Sequence, residues 1–402
     1  MQPDGNASVS DALASRPSIA SQVNRRTVLA GLATAALPAM APPHDEVAWH
    51  ALDAAERSTP ADGLGALRTI DLRQLSPARR LDVETAHAGL AIDVALATRP
   101  DDLDLRVSRT LGRVDTATAI RRLDAALRDL HTRAASAFDA IGIEGANPGA
   151  RFQRLFAEPE RQYAESDAGR AQAVADMTAT LARLRSETPR LIADVPPFCL
   201  DVAVRTLSPA ELAAGKQGYR TPPAPDRPGA YIVDLREIAR RPAWSLPSVV
   251  AHELLPGHMV QLGIEEVAPP HPLRLRYASA FVEGWATYAE TLVDYPDPRT
   301  LLGHLHWLIF RAARGRVDLG IHAQGWSLDQ ARARLTEWQG EPVYFAGFDA
   351  DLARIVHDPG TRAAEALAWL ALADRAPRAP ARRRAWHAAV LTHGRKRLEQ
   401  LP

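Results

Sequence analysis

Two histidines and a glutamate crowded into HELLPGH, from His252 to His258, are the residue types with which a protein holds a hydrolytic metal ion. Zinc favours imidazole and carboxylate ligands, and a catalytic site keeps three of them plus a water whose pKa falls toward ~7. A neighbouring carboxylate then takes a proton as that water attacks a carbonyl. His252 followed directly by Glu253 offers a first ligand and a base. A second acidic run, Glu283-Gly284-Trp285-Ala286-Thr287-Tyr288-Ala289-Glu290, follows soon after. Its two glutamates lie within ~20° of each other on a helix, so Glu283 can be the third ligand while Glu290 orients a histidine from behind. The same run also reads as a surface helix with solvated acids.

The spacing of the histidines is a difficulty. Ligands at i and i+4 share one face of a helix, whereas His252 and His258, at i and i+6, point about 240° apart. A straight helix therefore cannot bring them together. Pro256 and Gly257 lie between them, and a proline inside a helix removes a backbone bond and forces a kink or bulge. Two extra residues absorbed at that break return His258 to the face of His252.

The elements that must position these groups are mostly helical. From Asp45 to Leu191, apolar residues recur at three- and four-residue spacing, as in the stretch from Thr116 to Leu127, which marks amphipathic helices. Asn147-Pro148-Gly149 and Pro196-Pro197 read as loops. Asp201 to Arg205 and Ala230 to Leu235 are short strand candidates around a proline-rich segment, which predicts a small sheet or a two-stranded ribbon. Helices are then expected through His252, through Glu283, from Thr300 to Val317 and from Leu328 to Trp338, with two more near the C-terminus. The expected architecture is mostly α, with a small β element beside the metal-binding helix. One catalytic unit spans 44–402, its helical N-terminal part 44–195 and its metal-site part 196–402.

Formal charge balances at 48 basic against 48 acidic residues, which excludes a nucleic-acid or anionic-membrane partner driven by net charge. Only Lys216 and Lys396 among the basic residues are lysines. Cys199 stands alone, so neither an intrachain disulfide nor a thiolate metal cluster can form. Asn24-Arg25-Arg26-Thr27-Val28-Leu29 leads into an uncharged stretch from Ala30 to Ala41, the layout of a twin-arginine export signal over 1–43. Ala39-Met40-Ala41 has the form of a cleavage site, with Pro42 opposing it. The stretch is too short for a stable membrane anchor. The expected location is periplasmic or secreted, with the twin-arginine machinery as a partner.

Three stretches carry a family resemblance. HELLPGH with Gln261 resembles the HExxPGHxxQ segment of the bacterial domain-of-unknown-function 885 family, whose fold is similar to the gluzincin metallopeptidases. VEGWATYAE resembles that family's EGWA helix, and Asp318 to Ser327 resembles its D-x-G-x-H-x-x-G-W signature. The resemblance runs from Pro189 to Leu401. It implies that His252, His258 and Glu283 hold one zinc ion, that Glu253 is the base, and that His322 binds substrate or stabilises the oxyanion. It also implies that an extended peptide pairs along the strand from Tyr231 to Leu235. Gln261, Asp318 and Glu290 become candidate supporting residues.

Where the family has an arginine-tyrosine pair, a Pro-Gly-Gln-Ala segment and a later tyrosine, this chain has Arg354-Ile355, Pro359-Gly360-Thr361-Arg362 and Trp369. Tyr231, Tyr288 and Tyr344 are the remaining phenols to place against a substrate carbonyl. The expected function is an exported zinc peptidase of short peptides, a carboxypeptidase or a dipeptidase. The competing readings are a periplasmic peptide-binding or scaffold protein with weak or no catalysis, and a zinc hydrolase of a non-peptide amide or ester.

Overall fold

A computed structural model describes residues 43–158, 162–345 and 347–402. The expected export signal and its cleavage site fall almost wholly outside these residues. The N-terminal half is a succession of helices: α1 (Pro43–Arg57), α2 (Pro60–Leu67), α3 (Pro77–Thr98), α4 (Leu103–Leu111), α5 (Thr116–Asp139), α6 (Pro148–Phe156) and α7 (Asp167–Leu191). Side-chain caps start most of them. Asp115, Asn147 and Ser166 accept backbone N–H bonds in the first turns of α5, α6 and α7, satisfying donors that the helix itself leaves open.

The middle of the chain holds β1 (Val202–Thr206), α8 (Pro209–Ala213), β2 (Tyr219–Thr221) and β3 (Gly229–Val233). They form a three-stranded sheet in the order β1-β3-β2, with β1 parallel and β2 antiparallel to β3. Of the two expected forms, a small sheet or a ribbon, the small sheet is present, and it is mixed. Because β3 is central, it has a neighbour on each side, so the strand carrying Tyr231 offers no free edge to a peptide. The edge beside the cavity is β2.

Helices resume with α9 (Leu246–Glu253), α10 (His258–Val267), α11 (Pro272–Tyr277), α12 (Ala280–Glu290), α13 (Pro298–Gln324), α14 (Leu328–Trp338), α15 (Phe348–His357), α16 (Thr361–Arg375) and α17 (Pro380–Leu391). Three helices follow α14 where two were expected, since Pro359-Gly360 divides α15 from α16. The longest, α13, outruns its expected end at Val317 and stops at Gly325, whose φ of +67° only glycine adopts freely. It packs against α5 and α16 and buries most of its length.

Two hydrophobic cores result. The larger runs from α4 through α17 and surrounds α12 and α13. A smaller one joins α1, α2 and α3 to Leu273 and Tyr277 of α11. No helix among the described residues is long and apolar enough to cross a membrane.

Candidate metal centre

The break between α9 and α10 solves the spacing problem. α9 ends at Glu253, and the Gly257 N–H donates to the carbonyl of Ala251 at 3.0 Å. That bond spans six residues where a helix spans four, and six is also the offset from His252 to His258. The turn accepts only glycine at this position: a Cβ on Gly257 would sit 2.0 Å from the carbonyl oxygen of His252.

The two imidazoles consequently face each other, with their Nε2 atoms 3.1 Å apart. Glu283, in the first turn of α12, reaches both: its carboxylate oxygens lie 3.4 Å from Nε2 of His252 and 3.5 Å from Nε2 of His258. Ligands at ~2.0–2.1 Å in a tetrahedron around zinc stand roughly 3.3 Å from one another, so the three spacings suit one ion of that size.

The protonation state of His258 agrees with such a role, whereas burial and Arg311 are outweighed at His252 by Glu283 and Glu290, which hold its affinity for a proton above the ordinary range. Burial and the nearby Arg220 push His258 down to about 4, so its ring is neutral at pH 7. Nδ1 of His252 lies 2.7 Å from Glu290. A carboxylate can only accept there, so Nδ1 carries a proton and Nε2 is the nitrogen turned toward His258 and Glu283. Glu290 is itself held by the Ser248 hydroxyl at 2.7 Å and by His304 at 3.5 Å. Burial opposes its charge, but its contacts with His252 and His304 hold it down at about 2. His258 has no such support, since its Nδ1 is buried without a hydrogen-bond partner.

Glu253 sits beside these three residues and receives Nη1 of Arg220 at 2.7 Å. Burial raises its affinity for a proton and Arg220 more than offsets this, so the carboxyl titrates below its ordinary range. The small sheet arranges the pair: Arg220 on β2 stands opposite Tyr231 on β3, and cross-strand partners present side chains to the same face. Tyr231 and Tyr344 place their hydroxyls 3.3 Å apart. These groups line a cavity of about 470 Å³ together with Trp307, Phe345 and several arginines.

Arg311 on α13 reaches the same ligands. Its Nη2 is 2.9 Å from Nε2 of His252, and its Nη1 donates to Glu283 at 3.3 Å. The guanidinium and a metal ion cannot both take that nitrogen's lone pair.

Four sequence candidates lie elsewhere. The Nε2 of His322 is 3.0 Å from the carbonyl of Ile355, and the side chain does not line the cavity. Asp318 is fully buried and accepts the backbone N–H groups of Gly360, Arg362 and Ala363, capping α16. Between them a Cβ on Gly320 would strike the Trp326 ring at 2.3 Å. The D-x-G-x-H-x-x-G-W stretch thus fastens the end of α13 to α15, α16 and the following loop, and the bond of His322 to the Ile355 carbonyl gives no support to the oxyanion role expected of it. Tyr288 is buried against His387, its hydroxyl 2.8 Å from Nε2. Gln261 is buried on α10, with both amide atoms lacking partners.

Arg220, Ser248, His304 and Arg311 were not singled out from sequence. For two of them a signal existed, because His304, Trp307, Arg311, Arg314 and Asp318 recur at three- and four-residue spacing along one side of α13. The register that sets Arg220 opposite Tyr231 leaves no such trace.

A second cluster, Asp53, Glu56 and His271, also gathers possible ligands. There Nδ1 of His271 accepts the N–H of Leu273 at 3.1 Å, so the proton sits on Nε2, facing Asp53 at 3.2 Å. That nitrogen has no lone pair for a metal, and the group caps α11.

A family model for bacterial proteins of unknown function, DUF885, matches residues 103–401. The chain belongs to this family. The match begins well before Pro189 and takes in the helices from α4 onward. No curated protein matches. Among solved structures, a candidate lipoprotein from Colwellia psychrerythraea is similar at 21% identity and a TM-score of 0.65, over 89% of this chain and 68% of that one. A candidate lipoprotein of unknown function from Shewanella oneidensis is similar at 15% identity and a TM-score of 0.60, over 88% and 72%. At these identities the likeness is one of fold.

Proposed function

We propose that this DUF885 protein is an exported zinc-dependent peptidase of short peptides, with a gluzincin-like site. The observation that carries the reading is the convergence of His252, His258 and Glu283 within 3.5 Å of one another, with Glu253 beside them. A zinc ion held by those three residues would supply a Lewis acid and lower the pKa of a water. Glu253, kept ionised by Arg220, takes the proton of the attacking water and passes it to the leaving amine. Glu290 fixes the ring and tautomer of His252. Tyr231 and Tyr344 offer hydroxyl donors that can bind substrate, the part of the role that the sequence resemblance had given to His322. The aromatic wall of Trp307 and Phe345 favours apolar side chains.

Elemental analysis of protein purified without added metal tests the site, with one zinc per chain expected, lost in His258→Ala. Glu253→Gln should keep the metal and lose at least a hundredfold of peptide hydrolysis; retained turnover removes Glu253 from the reaction. Profiling esters and non-peptide amides beside peptides tests the substrate class.

A second reading has its own observation. Arg311 bonded to Nε2 of His252 favours a peptide-binding protein whose ligand cluster is closed by a guanidinium. Metal-free purified protein that binds peptides and cleaves none would decide for it.

A further inference from the structure

Arg241 is a buried cation that makes no salt bridge among the described residues; the nearest acid, Asp234, gives its carboxylate to Arg236. It is 3% exposed, lies on the cavity wall, and stacks with its guanidinium carbon 3.4 Å over the Tyr344 ring. One terminal nitrogen donates to the carbonyl of Asp234. The other, Nη1, is buried with no hydrogen-bond partner. Arg220, Arg311, Arg314 and Arg362 on the same wall each hold a carboxylate within 3.3 Å. Arg241 alone among these buried guanidiniums does not.

Taking an ion out of water costs several kcal/mol unless an opposite charge meets it. Fixed hydroxyls stand ready beside this one: Tyr231 and Tyr344 flank the guanidinium, 3.3 Å from each other. Burial pushes the Tyr231 phenol well above 10, so it stays a donor. Tyr231 is also the cross-strand partner of Arg220, which grips Glu253. The orphan cation therefore shares the cavity with the base, and the tyrosine beside it pairs across the sheet with the residue that holds that base.

We propose that Arg241, with the hydroxyls of Tyr231 and Tyr344, receives the C-terminal carboxylate of a short peptide, which makes the cavity that of an exopeptidase. An acidic side chain carries the same group. A chain end is favoured because Arg241 is buried, and an internal residue would need main chain to run on past it through the wall. Cleavage adds water across a peptide bond near the anchored end, giving a peptide acid and a free amine. The cleavage rests on the hydrolase reading; the binding does not.

Calorimetric titration of the full chain with an N-acetylated Ala-Ala-Ala-Phe peptide tests this, using the acid, its C-terminal amide, and the amide with Asp at the second position. The acid is expected to bind at least tenfold tighter than either amide. Arg241→Met should bring acid and amide within twofold. Arg354→Met, which removes a half-buried cavity arginine that also lacks a carboxylate, should leave the preference intact. Equal binding of acid and amide overturns the proposal. So does an Asp-containing amide that matches the acid, or a preference that survives Arg241→Met. If Arg241→Met does not fold, Tyr344→Phe keeps the stacking and should narrow the preference several-fold; an unchanged preference there counts against the anchor. An acid preference without turnover would remove the hydrolase reading and leave the anchor standing.

Discussion

Nδ1 of His252 lies 2.7 Å from a carboxylate oxygen of Glu290, and that contact decides which ring nitrogen turns toward His258 and Glu283. Glu290→Gln preserves size but offers its amide or carbonyl in place of a charge that polarises the imidazole. Zinc affinity is expected to fall about 10- to 100-fold, measured by competition with a chelator. Unchanged affinity would show that the tautomer is set by something else.

Arg311 places a fixed positive charge against the same ligand set. Removing it with Arg311→Leu takes away both the competing donor and the repulsion of a divalent ion, so zinc should bind about tenfold tighter or more. Weaker binding in the same chelator assay would mean that Arg311 serves to hold Glu283 in place.

His322 and Asp318 join helix ends. Asp318→Ala strips three N–H groups of their acceptor and should lower stability by about 1–3 kcal/mol in denaturant unfolding. Zinc content should stay at the wild-type level in both Asp318→Ala and His322→Ala. Loss of metal in His322→Ala would return that residue to the site.

Gly257→Ala drives a methyl group into the carbonyl of His252. The turn must open, costing about 3 kcal/mol, and the histidines separate. Thermal melting and zinc content should fall together; a stable variant with full metal would show that the turn tolerates a side chain.

Acid sensitivity follows from two buried histidines outside the ligand set. Burial pushes His306 and His387 each down to about 4, while in an unfolded chain they titrate near ~6.5. Their contribution is fully present above ~6.5, because both states are then neutral. As pH falls from there toward 4, the unfolded state takes up protons first, and stability drops by about 3 kcal/mol per histidine. Urea midpoints between pH 7 and 4 measure the slope, which should become shallower in His387→Gln.

The sequence showed the chemistry more clearly than the geometry. Local patterns carried most helices, because a stripe of apolar residues and a capping Asp, Asn or Ser act within a few residues. The need for a break between His252 and His258 was legible from helical angle alone, and Pro256-Gly257 marked its place. What local pattern cannot carry is long-range register. Arg220 reaches Glu253 only because β2 pairs with β3, and Arg241 meets Tyr344 only because distant segments pack together. For a related reason the third signature does not say which way His322 faces. A histidine near the end of a helix looks the same whether it faces a cavity or a neighbouring carbonyl.

The one helix α12 touches His252 through both ring nitrogens, Glu283 on one side and Glu290, two turns on, at the other. A small slide of α12 along its axis would release the ring on both flanks at once, as a two-pronged clip lets go. Any substitution that unseats α12 should therefore cost the cluster its carboxylate and the ring its orientation together rather than one at a time.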